Sequence, residues 1–140
     1  MTHIDFYILA GEQTHGRERL ACRLAEKIYK LGHRLYIHTG DAAHSRLLDE
    51  LLWTFRPGSF IPHELRDDSE SPVRIGHDPE QAAAGEVLIN LAPQVPLFFS
   101  QYERVAEIID QSPAHKDSGR ERYRFYRDRG YTLKTHNIGT

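Results

Sequence analysis

Short apolar runs alternate with longer amphipathic ones along the first half of the chain, and this alternation restricts the possible folds most strongly. Residues 4–9 and 35–38 are mostly apolar and have the length of strands. Between them, leucine or isoleucine recurs every three or four residues, which predicts a helix over residues 17–31. Asp41 can cap a second helix that carries a stripe of leucines. A strand–helix–strand–helix order predicts a parallel sheet with right-handed crossovers.

The second half of the chain continues this pattern less regularly. Apolar side chains at helical spacing over residues 98–109 predict an amphipathic helix that faces the core. The other predicted elements are an exposed, polar and mobile loop at 66–72, strands at 73–75, 86–91 and 131–135, and a helix at 118–129. No internal repeat or low-complexity tract divides the sequence. We therefore predict a single α/β domain over residues 1–140.

The composition is that of a soluble globular protein, since 39% of the residues are hydrophobic and 27% are charged. The apolar runs are too short to span a bilayer, and the N-terminus lacks the pattern of a secretory signal. The single cysteine, Cys22, excludes an internal disulfide and fits a reducing cytosol, so we expect a cytoplasmic protein. Because the formal net charge is -2, any binding of nucleic acid through basic residues must be local.

Residues 11–18 have the context and glycine spacing of a phosphate-binding loop, because they connect the first predicted strand to the first predicted helix. A working loop of this kind places lysine against the phosphates and a hydroxyl group on magnesium. Arg17 and Glu18 occupy those positions, and the carboxylates of Glu12 and Glu18 would repel a polyphosphate. We therefore interpret the segment as a plain loop and predict neither nucleotide hydrolysis nor a cofactor.

The sequence contains no motif for metal or nucleophilic catalysis. Its nine histidines are scattered, none forms an HExxH pair, and no metal site is predicted. A serine motif of the GxSxG type does not occur. Cys22 lies roughly opposite the apolar stripe of its helix, which is compatible either with a second buried contact or with exposure. No residue is therefore predicted to be catalytic.

The last predicted helix carries the strongest local charge, because residues 116–129 contain six basic and three acidic side chains. At about 100° per residue, one stripe about 60° wide holds Arg120, Tyr123, Arg124 and Arg127. Lys116 extends this stripe if the helix reaches back that far. Such a face is compatible with a solvated surface, single-stranded nucleic acid, a phosphate or an acidic peptide with an apolar side chain. Tyr123 favours a ligand, because its ring adds packing area beside guanidinium groups.

The same segment carries a family resemblance. Residues 120–131, with the sequence RERYRFYRDRGY, closely resemble the C-terminal signature of the DNA polymerase III chi subunit family. The resemblance also includes residues 6–9, Cys22, residues 48–53 and residues 59–63, in the order of the family. It thus spans nearly the whole chain. The resemblance implies a Rossmann-like three-layer domain with a mainly parallel sheet, helices on both faces and no nucleotide chemistry.

The resemblance further implies a non-catalytic accessory subunit of the replicative DNA polymerase III holoenzyme. One implied partner is the acidic C-terminal tail of single-stranded-DNA-binding protein, through which the chain would associate indirectly with single-stranded DNA. The positions that match the family's tail site are Lys116, Arg120, Tyr123 and Arg124, with Arg127 as an addition. The other implied partner is the psi subunit of the clamp loader, for which Trp53 and Phe60 match the family positions. No membrane partner is expected.

Two alternatives stay open from the sequence. The basic stripe is also compatible with direct binding of single-stranded DNA, whose affinity would fall steeply with salt and would not require a carboxylate terminus. Trp53 is also compatible with a residue that caps the core without binding a partner.

Overall fold

The computed structural model describes residues 1–65, 71–80 and 85–139, and within these ranges seven strands form one sheet. The strands are β1 His3–Leu9, β2 Leu35–His38, β3 His63–Glu64, β4 Val73–Gly76, β5 Gly85–Asn90, β6 Tyr102–Ile109 and β7 Thr132–Ile138. Across the sheet they follow the order β3-β4-β2-β5-β6-β1-β7, and every neighbouring pair is parallel. The predicted α/β fold with a parallel sheet is therefore confirmed.

Helices cover both faces of this sheet. They are α1 Gly16–Lys30, α2 Ala42–Thr54 and α3 Pro113–Asp128. In β1, Ile4 and Phe6 pack on the α3 side, whereas Tyr7 and Leu9 pack on the side of α1 and α2. Two apolar cores result, one on each face, which confirms the predicted three layers. Among the described residues, no helix is long and apolar enough to cross a membrane.

The first two helices lie close to their predicted positions. Asp41 caps α2, because its side chain accepts a 2.8 Å hydrogen bond from the backbone N–H of His44. In α1, the fully buried residues Ala21, Cys22 and Ala25 are small, so this helix can approach the sheet closely. Burial raises the pKa of the Cys22 thiol to about 12, which keeps it protonated and poorly nucleophilic near neutral pH. Of the two placements compatible with the sequence, the buried one is correct.

The predicted helix over residues 98–109 is wrong. A short 3₁₀ helix at Phe99–Gln101 leads directly into β6, which lies between β5 and β1. Both faces of this central strand are buried: Val105 and Ile109 pack on the α3 side, and Ala106 and Ile108 on the other. A strand buried on both faces has no alternation of polar and apolar residues, so its apolar positions can imitate helical spacing.

The C-terminal elements are longer than predicted. Helix α3 begins at Pro113, whose ring suits the first helical position, and Ser112 caps it by accepting a hydrogen bond from His115 N–H. Lys116 therefore lies inside the helix. Strand β7 extends to Ile138, because it pairs with β1 along its whole length. Residues 66–70 of the predicted polar loop lie outside the described residues.

A buried ionic network joins α3 to the sheet. The side chain of Glu107 in β6 is fully buried, and its carboxylate accepts hydrogen bonds from Arg122 Nε at 2.8 Å and from the Tyr126 hydroxyl at 2.7 Å. Asn90 donates to the same carboxylate from the end of β5. Arg122 also donates to the carbonyl oxygen of Pro93 at 3.1 Å. Because each charge in this network is compensated, α3 is fixed in position and rotation against β6.

We predict that Glu107→Ala lowers the free energy of unfolding by about 3–5 kcal/mol, because it leaves the buried guanidinium of Arg122 without its charge partner. The matched control is Glu103→Ala, since Glu103 lies in the same strand and is exposed. Urea unfolding at pH 7 measures both variants. A loss of less than 1 kcal/mol in Glu107→Ala would contradict the role assigned to the network.

His38 is 5% exposed, and its Nδ1 has no hydrogen-bond partner among the described residues. Burial, aided by the neighbouring His77, lowers the pKa of His38 to about 4 from its ordinary 6.5. As the pH falls from 6.5 to 4, His38 takes up a proton in the unfolded chain but stays neutral in the folded protein. This residue alone should therefore destabilise the protein by about 2 kcal/mol at pH 5 relative to pH 8.

The measurement compares unfolding free energies at pH 8 and pH 5 for the wild type and His38→Phe, whose ring suits the aromatic contact with Phe98. The loss on acidification should be smaller in the variant. The exposed His3, changed to Gln, is the control and should leave the loss unaltered. Equal losses in the wild type and His38→Phe would show that His38 does not carry the effect.

Candidate functional site

A pocket of about 190 Å³ opens between α3 and the sheet. Phe6 and Ile8 of β1 and Ile109 of β6 give it apolar walls. The remaining lining residues are Gln111, Lys116, Gly119, Arg120, Tyr123 and Thr135. The pocket thus combines an apolar interior with two cationic side chains, a combination that suits a ligand with one apolar group and one negative charge.

Tyr123 and Gly119 shape the part of this pocket that α3 provides. Tyr123 is 36% exposed, and its ring meets the ring of Phe6 edge to face, with 5.2 Å between centroids. A Cβ atom on Gly119 would clash with Cδ1 of Ile109, so a larger residue would force Ile109 to move. Glycine at this position allows α3 to lie close to β6.

Three of the five residues predicted for the tail site therefore line one pocket: Lys116, Arg120 and Tyr123. Arg124 and Arg127 are exposed on the same helix but do not line it. Arg120 pairs with Asp117 at 3.1 Å, and Arg127 pairs with Asp128 at 3.1 Å. Exposed pairs of this kind contribute about 0.2–1 kcal/mol, so an anionic ligand can displace them.

Arg122 has a role that its sequence context does not reveal. The segment predicts a surface charge at this position, whereas the side chain is buried and bonded to Glu107. The positive charge available on the surface of α3 is accordingly smaller than the sequence suggests. One signal was present, because Glu107 is a lone carboxylate within the apolar run 105–109 and a buried carboxylate requires a partner.

The two aromatic residues predicted for the second interface are both strongly exposed. Trp53 is 56% exposed at the end of α2, where its ring lies 4.4 Å from the ring of His63. Phe60 is 81% exposed in the loop that follows α2. Trp53 thus contacts the buried His63 and still leaves more than half of its surface exposed.

The loop that carries Phe60 is anchored on both sides of the aromatic residue. Ser59 is buried and its hydroxyl donates a 2.7 Å hydrogen bond to Glu26 of α1, which also pairs with Arg56. Ile61 is buried on the other side. Gly58 has a φ of 79°, a value that glycine adopts without strain. The exposure of Phe60 is thus enforced by its neighbours.

The segment with the glycine spacing of a phosphate-binding loop uses its charges internally. Arg17 is buried and donates to the carbonyl oxygen of Leu91 at 3.2 Å. Glu18 is bonded to His44 Nε2 at 2.7 Å. Although burial raises the pKa of Glu18, the bond from His44 and the charge of Arg17 together lower it to about 2. Arg17 and Glu18 thus form bonds within the protein, which agrees with the interpretation of residues 11–18 as a plain loop.

Residues 1–65, 71–80 and 85–139 contain no group of three or more His, Cys, Asp or Glu side chains that could hold a metal ion.

The chain matches the protein-family model described as "DNA polymerase III chi subunit, HolC" over residues 1–134. It is 40% identical over 139 residues to the DNA polymerase III subunit chi of Pseudomonas aeruginosa, covering 99% of this chain and 98% of that one. The protein of the same name from Haemophilus influenzae is 31% identical, with 96% of each chain covered. That of Escherichia coli K12 is 29% identical over 143 residues, covering 96% of this chain and 97% of that one.

Among solved structures, that of T4 UvsW has a TM-score of 0.65 and is 12% identical, covering 97% of this chain and 42% of that one. At this identity the likeness concerns the fold alone. The sequence relatives carry more weight, because they align along nearly their full lengths. Together with the match over residues 1–134, they establish that this chain belongs to the DNA polymerase III chi subunit family.

Proposed function

We propose that this chain is a non-catalytic accessory subunit of the DNA polymerase III holoenzyme that links two partners. One is the acidic C-terminal tail of single-stranded-DNA-binding protein, which would bind the pocket beside α3. The other is the psi subunit of the clamp loader, which would bind the surface around Trp53 and Phe60. Through the first partner the chain would associate indirectly with single-stranded DNA during replication. The observation that carries this proposal is the joint placement of Lys116, Arg120 and Tyr123 around one apolar pocket.

The pocket suits a peptide that ends in an apolar residue. The final side chain would enter between Phe6, Ile109 and Tyr123, where an aromatic ring could pack edge to face against the rings already present. The terminal carboxylate would then lie between Lys116 and Arg120, whose guanidinium group can donate two parallel hydrogen bonds. Arg124 and Arg127 lie outside the pocket on the same helix, where their charges would attract the acidic peptide as it approaches. Binding would thus require both the apolar side chain and the free carboxylate.

The surface around Phe60 suits a protein partner because its exposed aromatic group is held in place. An anchored aromatic side chain loses little conformational entropy on binding, and such residues often supply much of an interface's binding energy. Trp53 adds a second large exposed ring supported by His63. Together they give the psi subunit an apolar contact on a different part of the fold from α3.

A non-catalytic role is supported by the state of the groups that could have been reactive. Cys22 is buried with its thiol pKa raised to about 12, and Arg17 and Glu18 are bonded within the fold. The proposed mechanism is therefore binding to two partners, with no chemical step of its own.

We predict that Arg120→Ala weakens binding of the tail peptide about thirtyfold, because it removes one charged partner of the terminal carboxylate. Isothermal titration with a peptide ending in a free carboxylate measures this effect. Thermal unfolding should stay within a degree or two of the wild type, because Arg120 is exposed. The matched control is Arg46→Ala, an exposed arginine on α2, which should bind normally. An unchanged affinity of Arg120→Ala for the peptide would refute the assignment of the tail site.

The titration also separates tail binding from direct binding of DNA. Deleting the final residue of the peptide, or amidating its carboxylate, should abolish binding to the wild type. An oligothymidylate carries no such terminus and should bind weakly at physiological salt. Tight, strongly salt-dependent binding of the oligothymidylate together with indifference to the peptide terminus would favour the alternative function of direct DNA binding.

We further predict that Phe60→Ala weakens binding of the psi subunit at least tenfold, because it removes an exposed, anchored aromatic group. Binding of the tail peptide should be unchanged. Surface plasmon resonance with immobilised psi measures the first effect, and the peptide titration measures the second. Leu97→Ala is the control, since Leu97 is similarly exposed in a different loop. Loss of both activities in Phe60→Ala, or an equal effect of Leu97→Ala, would refute the assignment.

A further inference from the structure

A second pocket, of about 260 Å³, lies at the carboxyl end of β1 on the α1 side of the sheet. Leu9 and Gly11 line it from the end of β1 and the loop that follows, and Gly139 lines it from the end of β7. Arg19 and Arg23 line it from α1. This pocket is separate from the α3 pocket and from the surface around Phe60.

The electrostatics of the second pocket favour an anion. Arg19 and Arg23 are one helical turn apart and exposed, and neither has an ion-pair partner within the described part of the chain. None of the described residues that line the pocket carries a carboxylate. Of the two nearby carboxylates, Glu18 is buried and directed to Arg17 and His44, and Glu12 is exposed and does not line the pocket. Two like charges at this spacing repel each other by a few tenths of a kcal/mol, and an anion bound between them would relieve that repulsion.

The two pockets share one rim. Ile8 lines the α3 pocket and Leu9 lines the second pocket, because successive side chains of a strand point to opposite faces of the sheet. Gln111 lines the α3 pocket, while its Nε2 donates to the carbonyl oxygen of Leu9 at 2.9 Å and its backbone N–H donates to that of Gly11 at 3.0 Å. The end of β1, braced by Gln111, therefore separates the pockets.

The separation is short enough for one peptide to reach both. Sheets that stack face to face lie about 10 Å apart, so the side-chain layers on the two faces of one sheet are roughly 10 Å apart. At about 3.3 Å per residue, an extended peptide covers this distance in about three to four residues. A peptide whose last residue occupies the α3 pocket would thus bring its fourth to seventh residues from the end to Arg19 and Arg23.

We propose that the acidic segment preceding the captured carboxylate crosses the carboxyl end of the sheet and binds Arg19 and Arg23 through its aspartate side chains. This inference rests on the proposed function, because it concerns the same acidic peptide. It assigns the second pocket as a subsite for carboxylates, with the apolar terminus in the α3 pocket fixing the register of the peptide. The aspartates would then add affinity without setting the position of the terminus.

The composition of the second pocket favours an acidic peptide over single-stranded DNA. None of the described lining residues is aromatic, so the pocket offers no ring on which a base could stack. The formal net charge of -2 also disfavours a polyanion that must run along the whole surface. A short acidic peptide is affected mainly by the local positive potential of Arg19 and Arg23.

The test uses the full chain and three peptides in a calorimetric titration. The first has about nine residues, ends in phenylalanine with a free carboxylate and carries aspartates four to seven residues from that end. The second peptide consists of the last three residues of the first. The third peptide has asparagines in place of the aspartates. The wild type should bind the first peptide roughly three- to tenfold more tightly than the other two.

The double variant Arg19→Ala/Arg23→Ala should lose that gain and bind all three peptides alike, with the affinity of the short peptide unchanged. The control, Lys27→Ala/Arg46→Ala, removes the same charge from exposed positions outside the pocket and should keep the gain. If both double variants lost this gain in affinity equally, the gain would come from net charge and not from the second pocket. That result would overturn the inference and leave the proposed function intact.

Two further outcomes separate the remaining possibilities. Failure of the short peptide to bind, or its indifference to Arg120→Ala, would refute the proposed function itself, and the inference would fall with it. Binding of an oligothymidylate that Arg19→Ala/Arg23→Ala abolishes, with peptide binding unaffected, would assign the second pocket to nucleic acid and overturn the inference.

Discussion

The buried carboxylate of Glu107 is the group on which the arrangement of α3 depends. It lies in β6, an inner strand of the sheet, and binds Arg122 and Tyr126 of α3 as well as Asn90 at the end of β5. A buried charge is costly unless it is fully compensated, so the helix cannot slide or rotate without breaking several bonds at once. The pocket beside α3 requires this rigidity, because its apolar walls come from strands and its cationic side chains come from the helix.

Both proposed binding surfaces follow the same physical rule: a side chain that must stay exposed is held by neighbours that are buried. Tyr123 follows the buried Arg122 on α3 and packs against Phe6. Phe60 lies between the buried residues Ser59 and Ile61. Such preorganisation lowers the entropy lost on association. The arrangement explains how a chain without a reactive centre could still recognise two partners selectively. It also keeps the surfaces apart, since one uses α3 and the other the loop after α2.

The predictions from sequence succeeded where local pattern and tertiary environment agree. The opening strands and helices, the cap at Asp41 and the parallel sheet follow from periodicity and capping chemistry that the structure preserves. They failed at residues 98–109, where burial on both faces of β6 removed the alternation that distinguishes a strand. Helix α3 begins earlier than predicted, because Ser112 caps it and Pro113 suits its first position. Arg122, which the sequence places among the charges of the last helix, is internal.

By itself, the sequence determined the α/β class, the family and which residue types could meet on one edge of the last helix, because periodicity and motif order are properties of the chain alone. Only the tertiary structure decided that Lys116, Arg120 and Tyr123 surround an apolar pocket, since Phe6, Ile8 and Ile109 reach it from strands distant in sequence. Likewise, only the register of β1 between β6 and β7 brings a second, arginine-lined pocket to the opposite face of the same strand end. Which cations remain available to a ligand depends on burial, and burial is settled by long-range packing.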